Sequence, residues 1–226
     1  MNEGKAQGVV ARLWDGPTRL VHWAVVALVG LSWFTAETGR MEWHRWSGYG
    51  VLGLLVFRLF WGFAGSASAR FANFVHGPAA VAAYLRTVRA RSPSGIPGHN
   101  PLGALSVVAI LAVLVAQVGF GLFAVDIDGI ESGPLSYMVD FDTGRVFAKL
   151  HHQSFSVLQV LVVLHVAAVL FYLVYKRENL VAAMITGRRR FAQDPGLTFA
   201  PWWCLLAGVV LAVAVAVLVA RGLKLG

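Results

Sequence analysis

Five segments of this chain are long, apolar and almost free of charge, and they limit the fold more than any motif does: Leu20–Ala36, His44–Phe63, Pro101–Ala124, His152–Tyr175 and Pro201–Ala220. About 20 apolar residues in helical conformation cross a hydrocarbon core of about 30 Å. In lipid the backbone has to satisfy its own hydrogen bonds, which helices do within each segment. The chain therefore reads as an all-α transmembrane bundle in a lipid bilayer. Of its 226 residues 58% are hydrophobic and only 13% are charged, more apolar than ordinary soluble domains. The second segment is the least apolar and holds Arg45 and Arg58. Residues 1–17 read as a lead-in, 18–187 as the main membrane domain, and 188–226 as a turn with an additional C-terminal span. Pro78–Arg91 reads as an amphipathic helix on the membrane surface, Ser92–Pro101 as a linker, and Asp194-Pro195-Gly196 as a turn.

A net charge of +8 raises the question of nucleic acid, but the distribution of the charges answers it. Lys5, Arg12 and Arg19 precede the first span. Arg70, Arg86, Arg89 and Arg91 follow the second, and Lys176, Arg177, Arg188, Arg189 and Arg190 follow the fourth. These are alternate connections, so they share one side of a membrane. The excess of basic residues makes that side cytoplasmic, with the N-terminus inside and the C-terminus outside. The connection Val125–Leu150 is net acidic, with Asp126, Asp128, Glu131, Asp140 and Asp142 against Arg145 and Lys149. The basic residues thus set topology, and no nucleic-acid partner is expected. The first span is read as an uncleaved anchor. Cys204 is the single cysteine and is expected to pack inside the fifth span.

His151 and His165 lie fourteen residues apart on one apolar segment. That is close to four helical turns, so both rings share a face about 21 Å apart. Histidines inside a membrane span are costly and point to function. By the topology, His22 lies at the depth of His165, and His44 at the depth of His151. Four histidines that pair at two depths across three helices read as axial ligands of two stacked haems, each bound by two imidazoles. His152 falls off the shared face. His76 and His99 read as surface or cap residues. No Cys-x-x-Cys-His run is present, so the haems are expected to be non-covalent and b-type.

Gly48 follows His44 by one turn and leaves room for a flat macrocycle. Arg58 shares the face of His44 about 21 Å deeper, at the level of the inner haem, where a propionate would satisfy it. Snorkelling to the headgroups is the alternative for Arg58. Arg19 and Arg45 flank the ligands and are further candidates for propionates. No acidic residue lies deep in a span, which argues against an ion-driven transporter. No cluster of Cys, Met or Asp accompanies the histidines, which argues against a zinc or copper carrier.

Arg19-Leu20-Val21-His22-Trp23, His44-Arg45-Trp46-Ser47-Gly48-Tyr49, Asn100-Pro101-Leu102-Gly103 and the stretch from His151 through His165-Val166-Ala167-Ala168 together resemble the prokaryotic cytochrome b561 family, which includes hydrogenase-type cytochrome b subunits. The resemblance runs from about Ala11 to Gly187. It implies a transmembrane four-helix haem-binding bundle over residues 18–187, with His22, His44, His151 and His165 as iron ligands. It also implies electron transfer between an outer-face partner or substrate and membrane quinone. The chain departs from the pattern by adding a fifth transmembrane helix, read as a surface for another subunit or an oligomer contact.

The first expectation is an inner-membrane electron conduit between the quinone pool and a periplasmic redox protein or catalytic subunit, such as a c-type cytochrome or a hydrogenase-like subunit. The second is a self-sufficient oxidoreductase that oxidises a small reductant such as superoxide and reduces quinone. Arg40, Arg45, Arg145 and Lys149 would then have to form a positive funnel. The third is a haem-free membrane scaffold or transporter.

Overall fold

The computed structural model describes residues 8–91, 95–128 and 130–224; Lys5 and residues 92–94 of the linker lie outside the described residues. Five helices are long and apolar enough to cross a membrane: α1 (Gly16–Glu37), α2 (Met41–Ala64), α5 (Pro101–Phe123), α6 (Phe141–Val174) and α8 (Trp202–Ala220). The short helices α3 (Phe71–Phe74) and α4 (Pro78–Thr87) connect α2 to α5, and α7 (Leu180–Thr186) follows α6. The fold is an all-α membrane bundle: a four-helix core of α1, α2, α5 and α6, plus α8.

Side-chain caps fix where the spans begin. Asp15 accepts from the Thr18 amide at 2.7 Å, Asn100 from Gly103 at 2.9 Å, and Asp140 from Thr143 at 2.9 Å. Each cap satisfies an amide that the first helical turn leaves unpaired. Pro101 then opens α5 with no N–H to satisfy, which gives the Asn-Pro-Leu-Gly run a mechanical reason. The Thr143 amide and hydroxyl donate to Asp140 and hold its carboxyl below the usual range. The cap at Asp140 also corrects the expected boundaries. The fourth span begins at Phe141 instead of His152, so Phe141–Leu150 is helix and not loop. Asp142, Arg145 and Lys149 end the hydropathy there without ending the helix.

The helices pack as two antiparallel hairpins, α1–α2 and α5–α6, which approach each other along α2 and α5, while α8 lies against α2. Gly39, at φ +67°, makes the reversal between α1 and α2 in a conformation only glycine adopts cheaply. Val51, Leu55, Leu114 and Leu158 form a buried layer from three of the core helices. Leu158 lies midway between His151 and His165, so this apolar layer separates the two histidine levels. A second cluster joins Val21, Phe57 and Trp61 to Cys204 and Ala212 of α8. Gly208 is what lets α8 approach, because a Cβ there would sit 2.8 Å from the Phe60 ring.

The lead-in is not featureless. β1 (Val9–Arg12) pairs antiparallel with β2 (Arg188–Phe191), Val9 opposite Phe191 and Arg12 opposite Arg188. Leu13, Trp14, Ala183 and Phe191 form a small core beneath this sheet. The sheet, α3, α4 and α7 define a basic end of the bundle; the loop between α5 and α6 defines an acidic end. Part of the basic charge is structural, since Arg189 is paired at 2.8 Å with buried Glu178.

Candidate functional site

α6 carries His151 about three turns from its start and His165 about four turns further on. α2 brings His44 to the acidic-end level, and α1 brings His22 to the basic-end level. The ring centroids of His44 and His151 are 6.0 Å apart, and those of His22 and His165 are 6.5 Å apart. A metal–nitrogen bond of about 2.0 Å on each side, with about 1.1 Å from nitrogen to ring centre, puts two imidazoles on one metal about 6 Å apart. Both pairs have that separation.

The orientation of the rings supports the same chemistry at the acidic end. His44 Nδ1 lies 2.9 Å from the Ser32 carbonyl, and His151 Nδ1 lies 2.8 Å from the Gln117 carbonyl. A carbonyl only accepts, so each Nδ1 carries the proton and each Nε2 keeps a lone pair. Metal-ligating histidines are commonly held this way. The Gln117 side-chain nitrogen sits 3.1 Å from His151 Nε2, and its oxygen accepts from Ser154 Oγ. That amide covers the His151 lone pair and would have to turn aside for a metal to reach it. At the basic end, His22 Nδ1 is buried and has no hydrogen-bond partner.

Among the described residues no three His, Cys, Asp or Glu side chains cluster together. Two imidazoles alone are too few ligands for a structural zinc. They suit a metal whose other positions come from a macrocycle, as in haem. The surroundings fit such a group at the acidic-end pair, where a cavity of about 400 Å³ lies between α1, α2, α5 and α6. Gly48 lines it, and a Cβ there would meet no protein atom within 4 Å. Gly121 does the opposite: its Cβ would lie 2.9 Å from Cε1 of His151, so the absence of a side chain is what lets that ring settle on α5.

The arginines separate by role. Arg45 lines the cavity and is ion-paired with Glu131. Arg58 is 9% exposed, its guanidinium 5.0 Å from the Phe71 ring centroid, and its Nη1 is buried without a partner. It is covered by α3 and does not snorkel to the surface. Arg19 faces away from the histidines, donating to the Ile185 carbonyl at 2.5 Å and so tying α1 to α7. His152 and His76 are exposed.

His99 differs from its sequence reading as a surface or cap residue. Its ring packs between Trp14, at 4.8 Å, and Phe74, at 4.6 Å, and its Nδ1 is buried without a partner. Burial, with Arg58, His165 and His22 nearby, pushes its pKa down to about 3. Nothing in the local pattern around His99 signals this, because α3 and the lead-in, distant in sequence, bury it. Gln117 did leave a signal: it and Ser106 are the only polar side chains between Pro101 and Ala124 apart from the chain ends, and an amide in lipid needs a partner.

The sequence model of the prokaryotic cytochrome b561 family matches residues 13–187. No curated protein matches the chain, and no solved structure does. With a match over most of its length and five membrane-spanning helices, the chain belongs to the prokaryotic cytochrome b561 family, membrane proteins of b-type haem and electron transfer.

Proposed function

We propose that this chain is a dihaem cytochrome b that carries electrons between membrane quinone and a redox protein or catalytic subunit on the periplasmic side. The observation that carries the reading is the pair of facing imidazole sets on α6, at 6.0 and 6.5 Å. His44 and His151 would hold one b-type haem; His22 and His165 would hold the other. A haem at each pair supplies a one-electron couple.

The chain's own residues do the rest. Ser32 and Gln117 fix the tautomer of the acidic-end imidazoles through their carbonyls. Val51, Leu55, Leu114 and Leu158 keep water from the space between the two levels. Gly48 keeps the wall of the acidic-end cavity flat. Arg58 places a guanidinium with an unpartnered Nη1 at the basic-end level, where it would serve a propionate, while Arg45 at the acidic-end level is ion-paired with Glu131.

The basic end faces the cytoplasm of a bacterial inner membrane under the positive-inside rule, which puts the acidic end and the C-terminus in the periplasm. An acidic face there suits a basic partner, with association that weakens as salt rises. The superoxide reading has less support, because the cavity wall sets Arg45, Arg145 and Lys149 against Glu37, Asp126 and Glu131. That balance is no positive funnel.

The test is reoxidation of the dithionite-reduced, purified protein by a water-soluble quinone analogue, followed in the visible haem bands. Stoichiometric reoxidation supports the proposal. Reduced bands that persist with excess quinone for many turnover times contradict it.

A further inference from the structure

Seven buried side-chain polar atoms lack a hydrogen-bond partner among the described residues: Thr18 Oγ1, His22 Nδ1, Arg58 Nη1, Ser68 Oγ, Arg70 Nε, His99 Nδ1 and Asp126 Oδ1. All but Asp126 belong to the basic end. Each unpaired buried group costs about 1–3 kcal/mol, so a native fold that leaves several together is arranged for something else to pair with them. Two of them define the chemistry. Arg58 is donor-only and always charged. His99 presents a buried ring nitrogen from a different connection of the chain, within electrostatic reach of Arg58, His165 and His22.

Both side chains are held by packing. The Arg58 guanidinium lies over Phe71 at 5.0 Å. The His99 ring is fixed between Trp14 and Phe74. The carboxylate near Arg58 is Asp15, whose oxygens are already engaged by the Thr18 amide at 2.7 Å and Trp61 Nε1 at 2.9 Å. Asp15 therefore balances the charge of Arg58 without satisfying Nη1. What is missing is an acceptor for Nη1 and for the His99 ring nitrogen. A carboxylate is such an acceptor, and it takes a forked guanidinium and a single ring N–H together.

We propose that His99 and Arg58 form one clamp for a propionate carboxylate of the haem at His22–His165. This rests on the dihaem reading and adds to it a residue from outside the spans. The clamp joins α2 to the connection ahead of α5, so the haem itself ties the loop between α4 and α5 to the core. His99 acts here as a neutral donor through Nδ1–H and is a positioning residue for the haem.

The experiment uses the purified full-length protein, with haem content, potentiometric titration of each haem and the resonance Raman propionate bending band as readouts. His99→Leu is expected to shift the potential of one haem downward, move its propionate band and weaken its retention by about tenfold. His99→Gln, which keeps a donor, is expected to restore the band. Arg58→Leu should affect the same haem, and the double variant should fall short of the sum of the two. If His99→Leu leaves both potentials and both bands unchanged while two haems remain bound, the clamp is wrong and the dihaem reading stands. If His99→Leu strips a haem and His99→Gln fails to restore it, the ring matters for packing and the clamp is again wrong. A change confined to the Michaelis constant for a quinone analogue assigns these donors to a quinone carbonyl and overturns the carboxylate. A wild-type protein without haem overturns the dihaem reading and the clamp together.

Discussion

Gly121→Ala is the smallest change that separates the acidic-end site from the fold around it. The new Cβ would stand 2.9 Å from Cε1 and 3.0 Å from Nδ1 of His151, and the ring would have to retreat by about half an ångström to reach ordinary contact. A loose side-chain end would do so cheaply. This ring is held by the 2.8 Å hydrogen bond from Nδ1 to the Gln117 carbonyl, so retreat stretches that bond and swings Nε2 off its line toward His44. Overpacking of this kind costs about 1–3 kcal/mol, which corresponds to roughly a 5- to 150-fold loss of affinity if the strain falls on the liganded geometry. The assay is haem binding in a His165→Ala background, which removes the second level, with affinity read from the Soret band. Gly121→Ala with unchanged affinity and unchanged low-spin bands would refute the reasoning, because the ring would then have moved without consequence for ligation.

Other perturbations test neighbouring parts of the account. Gly48→Ala adds a Cβ that meets no protein atom; the haem-free chain should keep or gain stability by up to about 1 kcal/mol from helix propensity, while the acidic-end haem is lost or weakened, as thermal melts with and without haem will show. Asp15→Ala removes the α1 cap and the acceptor of Trp61, and should cost about 1–2 kcal/mol by the cap alone, read as a lower midpoint in detergent unfolding. The pH dependence follows from His99, faced by Arg58 of α2, His165 of α6 and His22 of α1. Its folded pKa of about 3 lies below the unfolded value of about 6.5, so the unfolded chain takes up a proton that the folded one refuses. His99 should therefore contribute a fall in the stability of the haem-free protein as pH drops from about 6.5 toward 3, its own share at most about 1.4 kcal/mol per pH unit. His99→Phe should lower that slope by the His99 share in unfolding titrations between pH 4 and pH 7, set by the endpoints above.

The spans were legible because hydropathy is a strong local signal, and the family because His22, His44 and the His151–His165 stretch sit in recognisable runs. The edges were less so. Phe141–Leu150 reads as loop in the sequence because Asp142, Arg145 and Lys149 lower its hydropathy, whereas the Asp140–Thr143 cap starts the helix ahead of it. The β1–β2 pair was invisible, since its strands lie at opposite ends of the domain and the arginines of β2 have no strand signature. His99 reads as a surface or cap residue for a related reason: its surroundings are Trp14, Phe74 and Arg58, all brought from elsewhere. Arg19 shows the converse error of proximity. It neighbours His22 along α1, yet its side chain donates to the Ile185 carbonyl of α7 and the Asp15 carbonyl.

The central claim is two haems on four histidines, and a pyridine haemochrome assay against protein concentration tests it directly. Two b haems are expected per wild-type chain and one in each of His165→Ala and His151→Ala, with different reduced-minus-oxidised maxima for the haem that remains. A folded, fully expressed chain without haem, or one in which both variants keep two haems, would contradict it.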